Sequence, residues 1–159
     1  MINHSQNIII NSEKQKIWNF IIDFSRSLVF DKNYIKIELP YGYTTNKDSK
    51  FIIKGKYLFT KYYFEATILT NIAPNNIIIK CIDKHNSKIF QIKSFNILII
   101  NNKAILEYDY KATFNNVFKN IILYYPLKAS CMAELVFIKK AIESSDYINE
   151  RQEVKTILH

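Results

Sequence analysis

The sequence predicts an α+β fold: a curved antiparallel β-sheet gripping a long C-terminal α-helix, with two short N-terminal helices. Three observations predict it. A short apolar strand, Asn7–Ile10, runs into a helix that Ser12 can begin. The middle of the chain is β-like, rich in β-branched and aromatic residues and broken by turn signals. Near the end, Leu127, Cys131, Glu134, Leu135, Ile138 and Ile142 recur at intervals of three or four, one face of a long helix. Long antiparallel sheets curl because strands twist. One apolar face must then be covered, and only the last helix is long enough to cover it.

Each element follows in order. Ser12 with Gln15 three residues on matches a capping box. Ile17, Phe20, Ile21 and Phe24 form the apolar face of the first helix, widened by Trp18 and Ile22. Residues 23–30 bend into a second short helix. Tyr34–Leu39 is a strand ended by Pro40-Tyr41-Gly42, and Thr44–Lys50 is a loop. Phe51–Phe59 and Tyr62–Asn71 are strands with Thr60-Lys61 as their turn. Pro74-Asn75-Asn76 turns the chain into Ile77–Asp83, which Lys84-His85-Asn86 closes. Lys88–Ile100 and Lys103–Phe114 flank Asn101-Asn102, a two-residue hairpin turn, because Asn tolerates positive φ. Alternation puts Leu106, Tyr108, Tyr110, Ala112 and Phe114 toward the core. Val117, Phe118, Ile121 and Ile122 read as a helical lead-in interrupted by Pro126. Lys128, Lys139, Lys140 and Glu143 lie opposite the last helix's apolar face.

The 159 residues fit one domain, residues 1–145, with a polar tail, 146–159. Ile, Asn, Lys and Tyr are in excess, while Gly and Pro are scarce. AT-rich codons favour that set. The net charge is +8, and only Arg26 and Arg151 are arginines. Scattered lysines without an arginine cluster or an RNA-binding aromatic signature argue against nucleic acid. They allow weak attraction to an anionic membrane surface. The start of the chain lacks the basic flank and apolar run of a secretory signal. No window reads as the ~18 apolar residues that cross a bilayer. Cys81 and Cys131 lack metal-ligand spacing and read as reduced, buried thiols of a cytoplasmic protein.

The chemistry-bearing candidates are few. His4 and His159 lie near the termini and His85 in a turn, so a histidine base is not expected. No phosphate loop, nucleophile elbow or paired-histidine motif is present, and no metal or cofactor is expected. Glu134 lies at the edge of the apolar helix face. Turned inward it would be an acid or base of raised pKa; at the flank it would stay hydrated. Tyr108 and Tyr110 face inward and could orient a carbonyl or phenol, or simply pack. Lys54, Lys56 and Lys93 lie within strands and can face either way. A curved sheet crossed by one helix leaves room for a cavity lined by Tyr57, Phe59, Phe64, Ile79, Tyr108, Tyr110, Leu135 and Ile138. Glu134 and Tyr108 are its candidate catalytic groups.

Two stretches resemble a known family. Ile8-Ile9-Ile10-Asn11-Ser12 leads into Lys16-Ile17-Trp18-Asn19-Phe20-Ile21-Ile22-Asp23-Phe24. Tyr125-Pro126-Leu127 is followed by Glu134-Leu135-Val136-Phe137-Ile138-Lys139-Lys140-Ala141-Ile142-Glu143. These are similar to the opening strand and helix, and the terminal helix, of the START-like (SRPBCC) helix-grip superfamily. It includes polyketide cyclases and dehydrases, Bet v 1-type proteins and lipid-transfer domains. The order of elements covers residues 7–145. The resemblance implies binding of a hydrophobic or aromatic small molecule, lipid or polyketide-like. It equally implies a cyclase or dehydratase using Tyr108 and Glu134 for proton transfer. A protein-interaction role with a filled core is the third possibility.

Overall fold

The computed structural model describes residues 1–27, 34–57 and 60–144, with backbone only at 26, 27, 34, 35 and 57. The chain runs β1 (Ile2–Ile10), α1 (Lys14–Ile22), α2 (Phe24–Ser27), β2 (Tyr34–Glu38), β3 (Lys50–Tyr57), β4 (Thr60–Ile72), β5 (Asn76–Asp83), β6 (Phe90–Ile100), β7 (Lys103–Thr113) and α3 (Val117–Glu143). The strands form one sheet in the order β1-β7-β6-β5-β4-β3-β2. Every neighbouring pair is antiparallel. The first strand therefore pairs with the last, and α3 lies against β1 and β7.

Alternation does what the sequence suggests. Leu106, Tyr108, Tyr110 and Ala112 of β7 are buried, as is Phe114 just beyond it. Asn101 and Asn102 have φ of 50° and 60°, the positive values a two-residue hairpin demands. They pin Ile100 opposite Lys103 and fix the register of the whole β6–β7 ladder. Ile17, Phe20, Ile21 and Phe24 are buried together with Trp18. Phe24 stacks on Phe51 at 5.1 Å, and Tyr43 meets Phe51 edge-on at 5.6 Å, so this cluster closes one end of the core.

Several boundaries differ from the sequence expectation. The first helix is capped at Glu13, whose backbone is extended and whose side chain makes no cap bond; Ser12 is outside it. Gln15 bonds Asn19, four residues on, instead of reaching back toward the cap. The Asn11 amide donates to the Glu143 carboxylate at 2.7 Å, which ties the end of β1 to α3. Of the two N-terminal helices expected, only α1 has real length; α2 is one turn of four residues. Residues 28–30 of the second expected helix lie outside the described residues. Thr60 and Lys61 are not a turn but belong to β4, paired with Tyr57 and Lys56; residues 58 and 59 lie outside the described residues. The same is true of the tail from 145.

Pro126 does not interrupt the last helix. α3 is continuous over 27 residues with Pro126 inside. The amide a proline lacks would have bonded the carbonyl four residues earlier. That residue is Ile122, exposed enough for water to substitute. At its start, the Asn116 side chain accepts from the Phe118 amide at 2.8 Å, an N-cap bond. One continuous helix also changes the hydropathy reading: an 18-residue window of α3 is apolar enough to cross a membrane, although a third of it is buried against the sheet.

Candidate functional site

β6 and β7 together place the polar centre of the molecule. The register sets Lys93 opposite Tyr110 and Phe95 opposite Tyr108. Cross-strand partners share a face of the sheet. Since Tyr108 and Tyr110 point inward, so do Phe95 and Lys93. Gln91, Lys93, Phe95 and Ile97 are all buried. From the other side, the spacing of α3 turns Glu134 inward with Cys131, Leu135 and Ile138.

The three polar groups meet. Lys93 Nζ donates to Glu134 Oε2 at 3.1 Å and Oε1 at 3.2 Å. The Tyr108 hydroxyl donates to Glu134 Oε2 at 3.0 Å. Both charged side chains are only 1% exposed. The ammonium also lies 5.7 Å from the centre of the Tyr108 ring, within cation–π range. Phe95 stacks on that ring at 4.6 Å, with the planes 2° apart. Desolvating each ion costs several kcal/mol. The bidentate contact, the phenol and the ring face offset part of that cost. The arrangement holds a carboxylate, an ammonium and a phenol within proton-transfer distance in an apolar setting.

The apolar surroundings include most of the expected lining. Phe64, Ile79, Tyr110, Leu135 and Ile138 are buried with the triad. Only the backbone of Tyr57 is described, and Phe59 is outside the described residues. Two recesses lined by described residues lie away from the triad. One, of about 380 Å³, lies among Met1, Ile2, Val117, Asn120, Ile121, Tyr124 and Tyr125. The other, of about 320 Å³, lies among Lys54, Gly55, Lys61, Tyr62, Tyr63 and His85. Among the described residues, no group of three or more His, Cys, Asp or Glu is placed to hold a metal.

Comparison with known proteins gives a consistent picture of the architecture. No protein-family model matches the sequence, and no curated protein matches it. Solved structures do. The hypothetical protein jhp0584 of Helicobacter pylori superposes with a TM-score of 0.71 at 10% identity, over 89% of this chain and 88% of that one. The di-domain ARO/CYC StfQ of the steffimycin biosynthetic pathway gives 0.69 at 10% identity, over 89% of this chain and 50% of that one. A Deinococcus radiodurans structural-genomics protein gives 0.66 at 9% identity, over 90% and 98%.

The fold is a helix grip.

Within that helix grip, the hydrated alternative for Glu134 is excluded by its burial. His4 also departs from expectation. β1 begins at Ile2, five residues earlier than the apolar run suggests, so His4 is a buried strand residue. Its Nε2 lies 3.0 Å from the Tyr124 carbonyl, and Gln6 reaches the Lys128 carbonyl at 3.3 Å. These two side chains fasten β1 to α3. Desolvation holds the imidazole below its ordinary 6.5; the Tyr124 bond opposes that shift and Lys128 adds to it. Lys93 is the site residue the strand pattern alone leaves ambiguous. Its signal is the hairpin: with Asn101-Asn102 as a two-residue turn, Lys93 must face Tyr110.

Proposed function

We propose that this helix-grip protein binds a hydrophobic or aromatic small molecule carrying one polar group, lipid or polyketide-like, between the sheet and α3. One observation carries the proposal: Lys93, Glu134 and Tyr108 form a buried polar centre where an apolar core would suffice. Replacing a buried ion pair by apolar residues is often neutral or stabilising, so stability alone gives little reason to keep one. A polar group of the ligand, such as a carbonyl, phenol or carboxylate, would insert into this centre. Phe64, Ile79, Tyr110, Leu135 and Ile138 would move apart to hold its apolar body. Fold likeness to an ARO/CYC protein supports the same ligand class by analogy. Buried thiols at Cys81 and Cys131 fit a cytoplasmic setting.

Acid–base catalysis on such a ligand, of cyclase or dehydratase type, is a second reading. It is favoured by the 3.0 Å contact between the Tyr108 hydroxyl and Glu134, which pairs a proton donor with an acceptor. Native mass spectrometry of protein purified from its own host tests binding. A co-purifying apolar compound that Glu134→Leu releases would support the proposal; a uniformly ligand-free protein would count against it. Turnover of the recovered compound, lost in Glu134→Gln and Tyr108→Phe, would favour the catalytic reading.

A further inference from the structure

The outer side of α3's first half is apolar and uncovered. Val117, Phe118, Ile121 and Tyr125 are 66–76% exposed. Leu123 and Leu127, on the opposite side, are buried against the sheet. This stretch is therefore apolar on its outer side as well as on its buried one, which a helix resting on a sheet in water does not require. Isolated exposed apolar residues are ordinary, but a continuous row marks an interaction surface.

Charge selects the partner. Between Val117 and Ala133, α3 carries Lys119 and Lys128 and no acidic residue. The positive end of the helix dipole would favour an acidic residue in the first turn, and none is there. Met1 lines the same recess as Val117, Ile121 and Tyr125.

We propose that this face docks on a membrane surface rich in anionic lipid. The first half of α3, roughly 18 Å from Val117 to Lys128, lies in the plane of the interface. Phe118, Ile121 and Tyr125 enter the acyl boundary, and the exposed Lys128 meets the headgroups, while Lys119 is held by Thr60 at 3.2 Å. The recess beside Met1 gives part of an acyl chain a place to lie. The helix lies on the membrane without crossing it, because Glu134 is tied to Lys93 and the Tyr124 carbonyl to His4. A second copy fits the face less well: a two-fold contact would bring Lys128 of both copies onto one interface of like charge.

The test is co-sedimentation of the full chain with vesicles of phosphatidylcholine alone and of an equal mixture with phosphatidylglycerol. Binding is expected only to the mixture. Lys128→Ala should weaken it about fivefold, and Lys47→Ala, in a loop on another element, should not. Ile121→Glu with Tyr125→Glu should abolish it while the thermal unfolding curve stays unchanged. Phe118→Trp should shift its emission to shorter wavelength on the mixed vesicles, which separates insertion from charge attraction alone. No binding to the mixture, binding indifferent to the double substitution, or no emission shift would overturn the proposal. So would a dimer at sedimentation equilibrium that the double substitution disperses; that result would give the face to a second copy.

Discussion

The Nζ of Lys93 stands 3.1 Å from Oε2 of Glu134, and each side chain is 1% exposed. Neither ion has water to fall back on if its partner is removed. Lys93→Met alone, or Glu134→Leu alone, is expected to lower the unfolding free energy by ~3–5 kcal/mol. The double variant should regain most of that loss, because it buries no charge. Urea denaturation of the four proteins in the cycle measures the coupling. Simple additivity of the two losses would contradict the pairing.

Tyr108→Phe tests the third member. It removes the hydroxyl that donates to Glu134 and keeps the ring stacked on Phe95. The expected cost is ~1.5–3 kcal/mol, the range for a hydrogen bond to a charged group. In the Lys93→Met/Glu134→Leu background the substitution removes no such bond, and its cost should fall. An equal cost in both backgrounds would show that the hydroxyl serves something other than Glu134.

The helix ends give a contrast that chemical denaturation can read. Asn116→Ala removes a cap bond to the Phe118 amide and should cost ~1 kcal/mol. Ser12→Ala, one residue outside the cap of α1, should stay within ~0.5 kcal/mol. Phe20→Ala, deep in the core, should cost ~3–5 kcal/mol. A large loss at Ser12 would restore it as the cap.

His4 should make stability depend on pH. Its folded pKa lies below 6.5, chiefly through desolvation. The unfolded chain therefore takes up a proton at a higher pH than the folded one. The contribution of the neutral ring is complete above pH 6.5 and is lost as pH falls through the folded value. Urea midpoints taken on either side of pH 6.5 should show lower stability on the acid side, and His4→Gln should reduce that difference. An unchanged difference would place the titration elsewhere.

The architecture was legible because period and turn chemistry agree. Asn101-Asn102 and the alternation of β7 define a hairpin, and Leu127 to Ile142 define a helix face. Local signals failed where tertiary contacts outweigh them. Ser12 has capping chemistry, yet α1 starts one residue later, with Glu13 at the cap position, and Glu143, far along the chain, fixes the neighbouring Asn11 amide. Pro126 normally breaks a helix, but Ile122, whose carbonyl it deprives, is an exposed residue. His4 looked like a terminal residue because hydropathy hid a strand that begins with polar residues. In the site, Tyr108 and Glu134 were visible as candidates from their faces. Lys93 was left open, because a lysine within a strand can face either way until the hairpin register is followed across to Tyr110.

The most direct measurement is a fluorescence titration with N-phenyl-1-naphthylamine, an apolar probe with a single amine. Wild-type protein is expected to bind it with micromolar affinity, about −8 kcal/mol. Ile138→Trp should fill the space beside Glu134 and remove binding, with circular dichroism confirming that the chain stays folded. Ile121→Glu, on the exposed face of α3, should leave binding intact. Equal binding by the Ile138→Trp protein, or loss of binding only in Ile121→Glu, would contradict a ligand site at Lys93, Glu134 and Tyr108.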